Sequence, residues 1–420
     1  MRYRDFDLKL YGGRTEGYYV EVVGSPVNRR SEAARLILPR STELEPPEVR
    51  GGWAVAPVAP ESPGRALFGA LFPEPIRRLW ERSEATLGEQ EILRLRLDIR
   101  APELAALPWE SIHDGSYHLA LSPRHPVVRF FFDGPEVFPE EIRGPLNLLL
   151  AVSTPNDAPP LPAVEEELKL TRESLDELKR AGRIGHVKVM RGASLRKLQA
   201  ELRKRPYHVL HYVGHGEFAE DAGHLVLEDE RGGADMVSAL RLSYFLRDTP
   251  IRLLFLNACR TAIPSTGGAP LGVAQAALNA GVPAVVAMQD IVRDDLAACF
   301  AREFYQALAD GSPLEACVAE GRKAIFADLD TDGSDWAIPT LFSNAREGLL
   351  WKTPAEPDDD AETAEGVATE AQPPPDKTPA SKYNMTFGTV NADQLAVGDG
   401  NTLTHYGSGT KGRKRGRGVR

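Results

Sequence analysis

Cysteine is scarce in this chain: its 420 residues hold three, Cys259, Cys299 and Cys317. An odd number with no Cys-x-x-Cys pair excludes a disulfide framework and a thiolate zinc site and fits a reducing, cytoplasmic setting, so any cysteine with a function works as a free thiol. Long apolar runs are missing too. Stretches such as LNLLLAV and LLFL fall far short of the roughly 20 residues that span a bilayer, and the N-terminal MRYRDFDLKL is charged from its start, so neither membrane insertion nor secretion is expected. Net positive charge is lacking as well. The balance is −10, which argues against a nucleic-acid partner. Basic residues crowd at the end, in TKGRKRGRGVR, where a solvated tail over 408–420 is the default reading and a weak nucleic-acid or anionic-surface contact the alternative.

What is present is enough apolar sequence, 42%, for a large core. Residues 1–140 mix short β-like runs (YYVEVV, ILRLRLDI, VVRFFF) with proline-rich turns and one helical stretch around LFPEPIRRLWERSE, the pattern of an α+β subdomain. From LNLLLAVSTPND the rhythm changes. Nearly all-apolar strands are expected at 146–152, 186–190, 208–213, 252–257 and 284–288. They alternate with helices near 162–181, 194–204, 238–247, 271–280, 294–310 and 313–327, and a short run, HLVLED, intervenes. Such alternation predicts an α/β fold over 141–351, a mainly parallel sheet covered on both faces by helices, with functional groups at the C-terminal ends of the strands.

Two residues suited to nucleophilic chemistry fall at those ends. His215 follows the strand HVLHYV in the loop GHGE, and Cys259 closes RLLFLNAC, about 44 positions later. A thiol near neutrality is only a few per cent thiolate, and an adjacent imidazole raises its nucleophilicity by accepting the proton. The flanking Gly214 and Gly216 allow close backbone approach, and the Gly216 N–H is a candidate donor to an oxyanion. A zinc site of His208, His211 and His215 is disfavoured because side chains of a strand alternate and the first two face opposite sides. GHGE also lacks the longer glycine loop of a phosphate cradle. Cys299 and Cys317 lie on apolar helix faces and read as packing residues.

HYVGHGEF paired with LLFLNACRTA, followed by GVPAVVAMQ and WAIPTLF, resembles the CHAT domain, a bacterial branch of the caspase-like (clan CD) cysteine peptidases related to separase. LRLRLDIRAPELAALPWESIHDG and YHLALSPRHPVVRF extend the resemblance over roughly residues 60 to 350. The resemblance implies a caspase-like sheet and a His215–Cys259 dyad that cuts peptide bonds in a protein substrate without cofactor or metal. Relatives that cut after Lys or Arg carry an acidic pocket for that residue. Asp157, beyond the first strand, and Asp290, after VVAMQ, are the candidates here. A catalytically inactive scaffold on the same fold is the alternative reading.

After Trp351 comes an acidic, Pro/Ala/Glu-rich stretch over 352–382 that cannot offset its conformational entropy by burial and reads as a disordered linker. Pattern returns in 383–407. There Leu395, Val397, Gly398 and Asn401 resemble the core of RHIM-type amyloid signalling motifs, with Ala396 where that pattern has glutamine. Alternating apolar residues with a stackable amide suit β-assembly, and an ordinary hairpin turned at GDGN is the competing reading. Assembly at the end of a tether would raise the local concentration of attached enzymes. The expectation is activation by induced proximity, through homo-oligomers or an upstream sensor with a matching motif, in antiphage defence or regulated cell death.

Overall fold

Alternation governs the first strand. In β1 (Arg2–Gly13), Phe6, Leu8 and Leu10 are fully buried, while Asp5, Asp7 and Lys9 face the other way. Antiparallel β2 (Gly17–Gly24) and β3 (Glu32–Leu36) extend the sheet on one side. After helices α1 (Pro63–Leu71) and α2 (Glu74–Ala85), β4 (Glu91–Ile99) lies parallel to β1 on its other side. Register sets Asp5 opposite Arg94 and Asp7 opposite Arg96. The charged faces of the two strands therefore neutralise each other: Arg94 Nε donates to Asp5 Oδ1 at 2.7 Å and Arg96 Nε to Asp7 Oδ1 at 2.6 Å. The single helix expected around LFPEPIRRLWERSE is two helices. The chain breaks at Pro73, which caps α2, and Pro75 sits in the first turn, where its missing N–H costs nothing.

The described residues are 2–27, 31–38, 63–134, 136–142, 144–161, 164–182, 184–219, 222–258, 272–290, 292–328, 334–346 and 348–352 of a computed structural model, and they belong to one unit, Met1–Glu356. Cys259 lies outside them. So do the linker from 353 on, the motif residues Leu395, Val397, Gly398 and Asn401, and the basic tail.

Short elements follow β4: α3 (Pro102–Ala105), β5 (Val127–Arg129) and β6 (Glu140–Glu141). The expected strand–helix alternation then takes shape as β7 (Leu146–Val152), α4 (Val164–Arg180), β8 (Ile184–Arg191), α5 (Leu195–Leu202) and β9 (Val209–Val213). Next come β10 (His215–Ala219), β11 (Ala222–Glu228), β12 (Ala234–Ser238) and α6 (Ala239–Leu246). The chain goes on through β13 (Leu253–Asn257), α7 (Val273–Asn279), β14 (Ala284–Met288), α8 (Asp294–Ala309) and α9 (Leu314–Asp328), and then β15 (Pro339–Ser343) and β16 (Trp351–Lys352).

Eleven strands form one sheet in the order β3-β2-β1-β4-β5-β15-β14-β13-β9-β7-β8, so the strands of 1–140 and those of 141–351 share it. Its pairings are parallel except β3/β2, β2/β1 and β14/β15. It therefore holds two parallel blocks of opposite direction, β8-β7-β9-β13-β14 and β15-β5-β4-β1, meeting at the antiparallel β14/β15 pair. Successive residues of the central strands are buried on opposite faces. Leu148, Val209, Val213 and Phe255 pack with α4, α8 and α9 residues such as Leu168, Phe300 and Cys317, whereas Leu149, Leu210, Tyr212 and Leu256 pack with Leu198, Leu242 and Ala277 of α5, α6 and α7. Burial on both faces is why these strands are almost continuously apolar.

Candidate active site

From β7 the chain passes outward through α4 to β8, then returns across β7 to β9 on the other side. Connections after β7 and β9 thus leave the sheet in opposite directions, and a crevice opens at the C-terminal ends of such strands. Three segments meet this rim: 153–161 after β7, residues 214 onward after β9, and the end of β13.

His215 is not in a loop, as the sequence suggests. It is the first residue of β10, edge strand of a three-stranded antiparallel sheet with β11 and β12. The turn from β9 into β10 is a single residue, Gly214, and it fits nothing larger. A Cβ there would lie 2.4 Å from Tyr212 Oη and 3.1 Å from Ser153 O. Tyr212 Oη is within 3.0 Å of the His215 carbonyl and 2.8 Å of the Val226 carbonyl, and Ser153 Oγ donates to the same Val226 oxygen at 2.8 Å. These bonds fix the histidine's main chain from beneath.

The imidazole is half-buried, and its Nε2 lies 2.7 Å from the Pro159 carbonyl oxygen. A carbonyl only accepts, so in the neutral ring Nε2 carries the proton and Nδ1 is left as the basic nitrogen. The sequence gives no sign of this partner, because a backbone carbonyl has no side-chain signature. Only the proline-rich run APPLP marks a constrained segment there.

Beside β9 runs β13, parallel and in register, with Val213 opposite Asn257. His215 and Cys259 each stand two positions beyond this last matched pair. Asn257 is held twice: its backbone oxygen accepts from Gly214 N at 3.4 Å, and its side-chain Nδ2 donates to Glu167 Oε1 on α4. Glu167 does not stand out in the sequence as part of a site, and Asn257 is seen there only as part of LLFLNACRTA.

The other expected residues are spread along the same rim. Gly216 is second in β10, opposite Leu225. Asp157 sits in the segment after β7, and its Oδ1 accepts from Ala234 N at 2.7 Å, tying that segment to the start of β12. Asp290 follows β14, on the far side of β13; its charge, with that of Asp295, adds to burial in pushing the Asp335 carboxyl up. The structure therefore puts Asp157 beyond the histidine strand and Asp290 beyond the strand that leads to Cys259, and it does not bring the two together. Cys299 donates Sγ–H to Asp328 Oδ2 at 3.2 Å, and burial pushes its thiol up to about 11. Cys317 is fully buried, which raises its thiol further still. Both thiols are protonated near neutrality, as packing residues should be.

Beneath the rim, His211 is wholly buried with Nδ1 within 3.0 Å of Tyr305 Oη, and burial lowers its pKa to about 3. His208 immediately precedes β9, and its Nδ1 accepts from Asn147 N at 3.1 Å. Among the described residues no cluster of His, Cys, Asp or Glu has the makings of a metal site, and no helix is long and apolar enough to cross a membrane.

No curated protein matches the chain. Among solved structures, Saccharomyces cerevisiae separase in complex with securin is similar at 13% identity and a TM-score of 0.40, over 64% of this chain and 17% of that one. The Arg-specific cysteine proteinase gingipain R (RgpB) is similar at 13% identity and a TM-score of 0.44, over 67% of this chain and 70% of that one. The complex of Porphyromonas gingivalis RgpB pro- and mature domains gives 13% and 0.43 with the same coverage. This chain thus spans only a small part of separase. The CHAT domain family matches residues 61–344, a stretch that contains β4, His215 with both of its flanking glycines, and Cys259. On that match the chain belongs to the CHAT domain family.

Proposed function

We propose that the chain is a cysteine endopeptidase whose His215 and Cys259 act as a dyad. The observation that carries this reading is the β9/β13 register: Val213 faces Asn257 on adjacent parallel strands, and His215 and Cys259 each come two positions later in the sequence. The bond from His215 Nε2–H to Pro159 O supports it, because it leaves Nδ1 free of a proton.

In the proposed reaction Nδ1 takes the Cys259 thiol proton and the thiolate attacks the scissile carbonyl carbon. Negative charge develops on the carbonyl oxygen, and the Gly216 N–H is the proposed donor to it. The imidazolium then protonates the departing amine, and water, deprotonated by the same nitrogen, hydrolyses the thioester. The protein supplies all the groups, so no cofactor or metal enters. For selection before the cut, Asp157, or Asp290 as its rival, is the proposed partner of a Lys or Arg side chain. The remaining proposals concern control: residues 383–407, through Leu395, Val397, Gly398 and Asn401, assemble with copies of themselves or with a sensor bearing a matching motif, in the cytoplasm. A defence or cell-death pathway in which a second effector protein is cut is the setting proposed.

The test is detection of new protein N-termini after the chain is switched on in cells. Wild-type protein is expected to generate cuts that Cys259→Ala and His215→Ala each abolish, with the double variant no worse than either single one. Cleavage that persists in Cys259→Ala would remove the dyad.

A further inference from the structure

One carboxylate is buried directly under this rim. Glu167, in the first turn of α4, is 4% exposed. Burying a carboxylate is costly unless its oxygens are bonded. Its Oε1 accepts from Asn257 Nδ2. An amide held at its nitrogen has one orientation, and Asn257 is the last residue of β13, so the bond fixes the strand end from the α4 face. From the side, the Asn257 carbonyl takes Gly214 N. One residue thus ties helix α4 to the ends of β9 and β13, where the chain leaves both strands for His215 and Cys259. The carboxylate also acts on the layer below: after burial, its charge is what raises the pKa of Tyr305, the residue bonded to His211.

We infer that Glu167 is a positioning residue of the dyad, acting through Asn257 to hold the end of β13 against the end of β9. The inference rests on the protease reading. It requires only that the separation of thiol and imidazole be set from beneath, because a misplacement of about 1 Å in such a pair costs on the order of 10²-fold in rate. Glutamine at position 167 keeps an acceptor for Asn257, whereas alanine removes it.

The experiment uses the full chain and iodoacetamide, with alkylation of each cysteine read separately by mass spectrometry as pH is raised through the imidazole and thiol range. In the wild type, Cys259 is expected to react as an imidazole-assisted thiolate at a pH where an isolated thiol is still protonated, and His215→Ala abolishes this. Glu167→Ala and Asn257→Ala should each slow that low-pH reaction about 10-fold or more and move the profile toward that of an isolated thiol. Glu167→Gln should stay within about 3-fold of wild type. The Glu167→Ala/Asn257→Ala protein should be no slower than the slower single variant, since the pair acts as a unit. If Glu167→Ala does not fold, Asn257→Ala with Glu167→Gln carries the same comparison. A His215-dependent Cys259 whose profile ignores Glu167→Ala and Asn257→Ala overturns this inference alone. A wild-type Cys259 that reacts as an isolated thiol and ignores His215→Ala overturns the protease reading, and the inference with it.

Discussion

Gly214→Ala tests the packing that holds His215, and its cost follows from three distances. The new methyl carbon would stand 2.4 Å from Tyr212 Oη, 2.6 Å from Tyr212 Cζ and 3.1 Å from the Ser153 carbonyl oxygen. The tyrosine ring is buried and its hydroxyl serves the His215 and Val226 carbonyls, so it cannot swing aside without abandoning both. Overpacking of this kind costs about 1–3 kcal/mol, and a buried hydroxyl left without its partner costs a further 1–3 kcal/mol, so destabilisation of about 2–6 kcal/mol is expected. The chain's other escape is to move the β9–β10 connection outward. That preserves the tyrosine and shifts the histidine, which should slow the His215-dependent labelling of Cys259 by about 10-fold or more. Denaturant midpoints and cysteine labelling, measured on the same protein, separate the two routes. A Gly214→Ala protein within about 0.5 kcal/mol of wild type that also labels at the wild-type rate would refute the reasoning, since such a value is typical of a surface site.

Gly69 is the matching control: it is exposed within α1 and a Cβ there meets nothing within 4 Å, so Gly69→Ala should stabilise by about 0.5–1 kcal/mol in the same denaturation assay. His211 predicts a pH effect. Burial holds its folded pKa at about 3, below the unfolded value, so the unfolded chain binds the extra proton; stability is full above about pH 6.5 and falls as pH drops toward 3. His211→Leu should flatten that fall by about 1.4 kcal/mol per pH unit at most, checked by denaturation across pH, and an unchanged slope would count against the buried neutral ring. Arg94 donates to Asp5, to Glu315 and to the carbonyls of Ala345 and Arg346 from a site 1% exposed. Arg94→Ala takes the buried guanidinium from two carboxylates, with Arg96 still 3.6 Å from Asp5 and the Tyr3 hydroxyl still on Glu315, and should cost about 3–5 kcal/mol, read as a lowered unfolding midpoint.

The parallel half of the sheet was legible because its strands are buried on both faces and its helices on one. Runs such as LNLLLAV and AVVAM have no polar alternative, and the expected spans from 146 to 327 differ from the observed ones by about the residue or two at which helix and strand ends fray. The resemblance over roughly 60 to 350 agrees with the family match at 61–344. Less was legible where neighbours decide. MRYRDFDLKL could be read as merely charged, although Phe6, Leu8 and Leu10 alternate, because what lets it be a sheet strand is Arg94 and Arg96 opposite its aspartates, some 90 positions away. His215 looked like a loop residue because the glycine before it signals a turn. That turn is one residue long, and the strand beyond it is defined only by its pairing with β11. Asn257, Glu167 and Pro159 carry nothing in their types that marks a site; their parts come from register and from a main-chain oxygen.

The position of β15 bears on how the chain must be made. Strands β1 to β5 and β7, β8, β9, β13 and β14 all precede it in sequence, yet it lies between the two sets, pairing with β14 on one side and, through Phe342 and Arg129, with β5 on the other. During synthesis from the N-terminus the edges of β5 and β14 therefore emerge bare, and unpaired edges are what chains aggregate through. The seam closes only when residues 339–343 leave the ribosome. A nascent chain stalled before that point holds every strand that leads to the rim but not the one that joins the halves, so the last-made strand of the large sheet decides whether the earlier ones become one sheet.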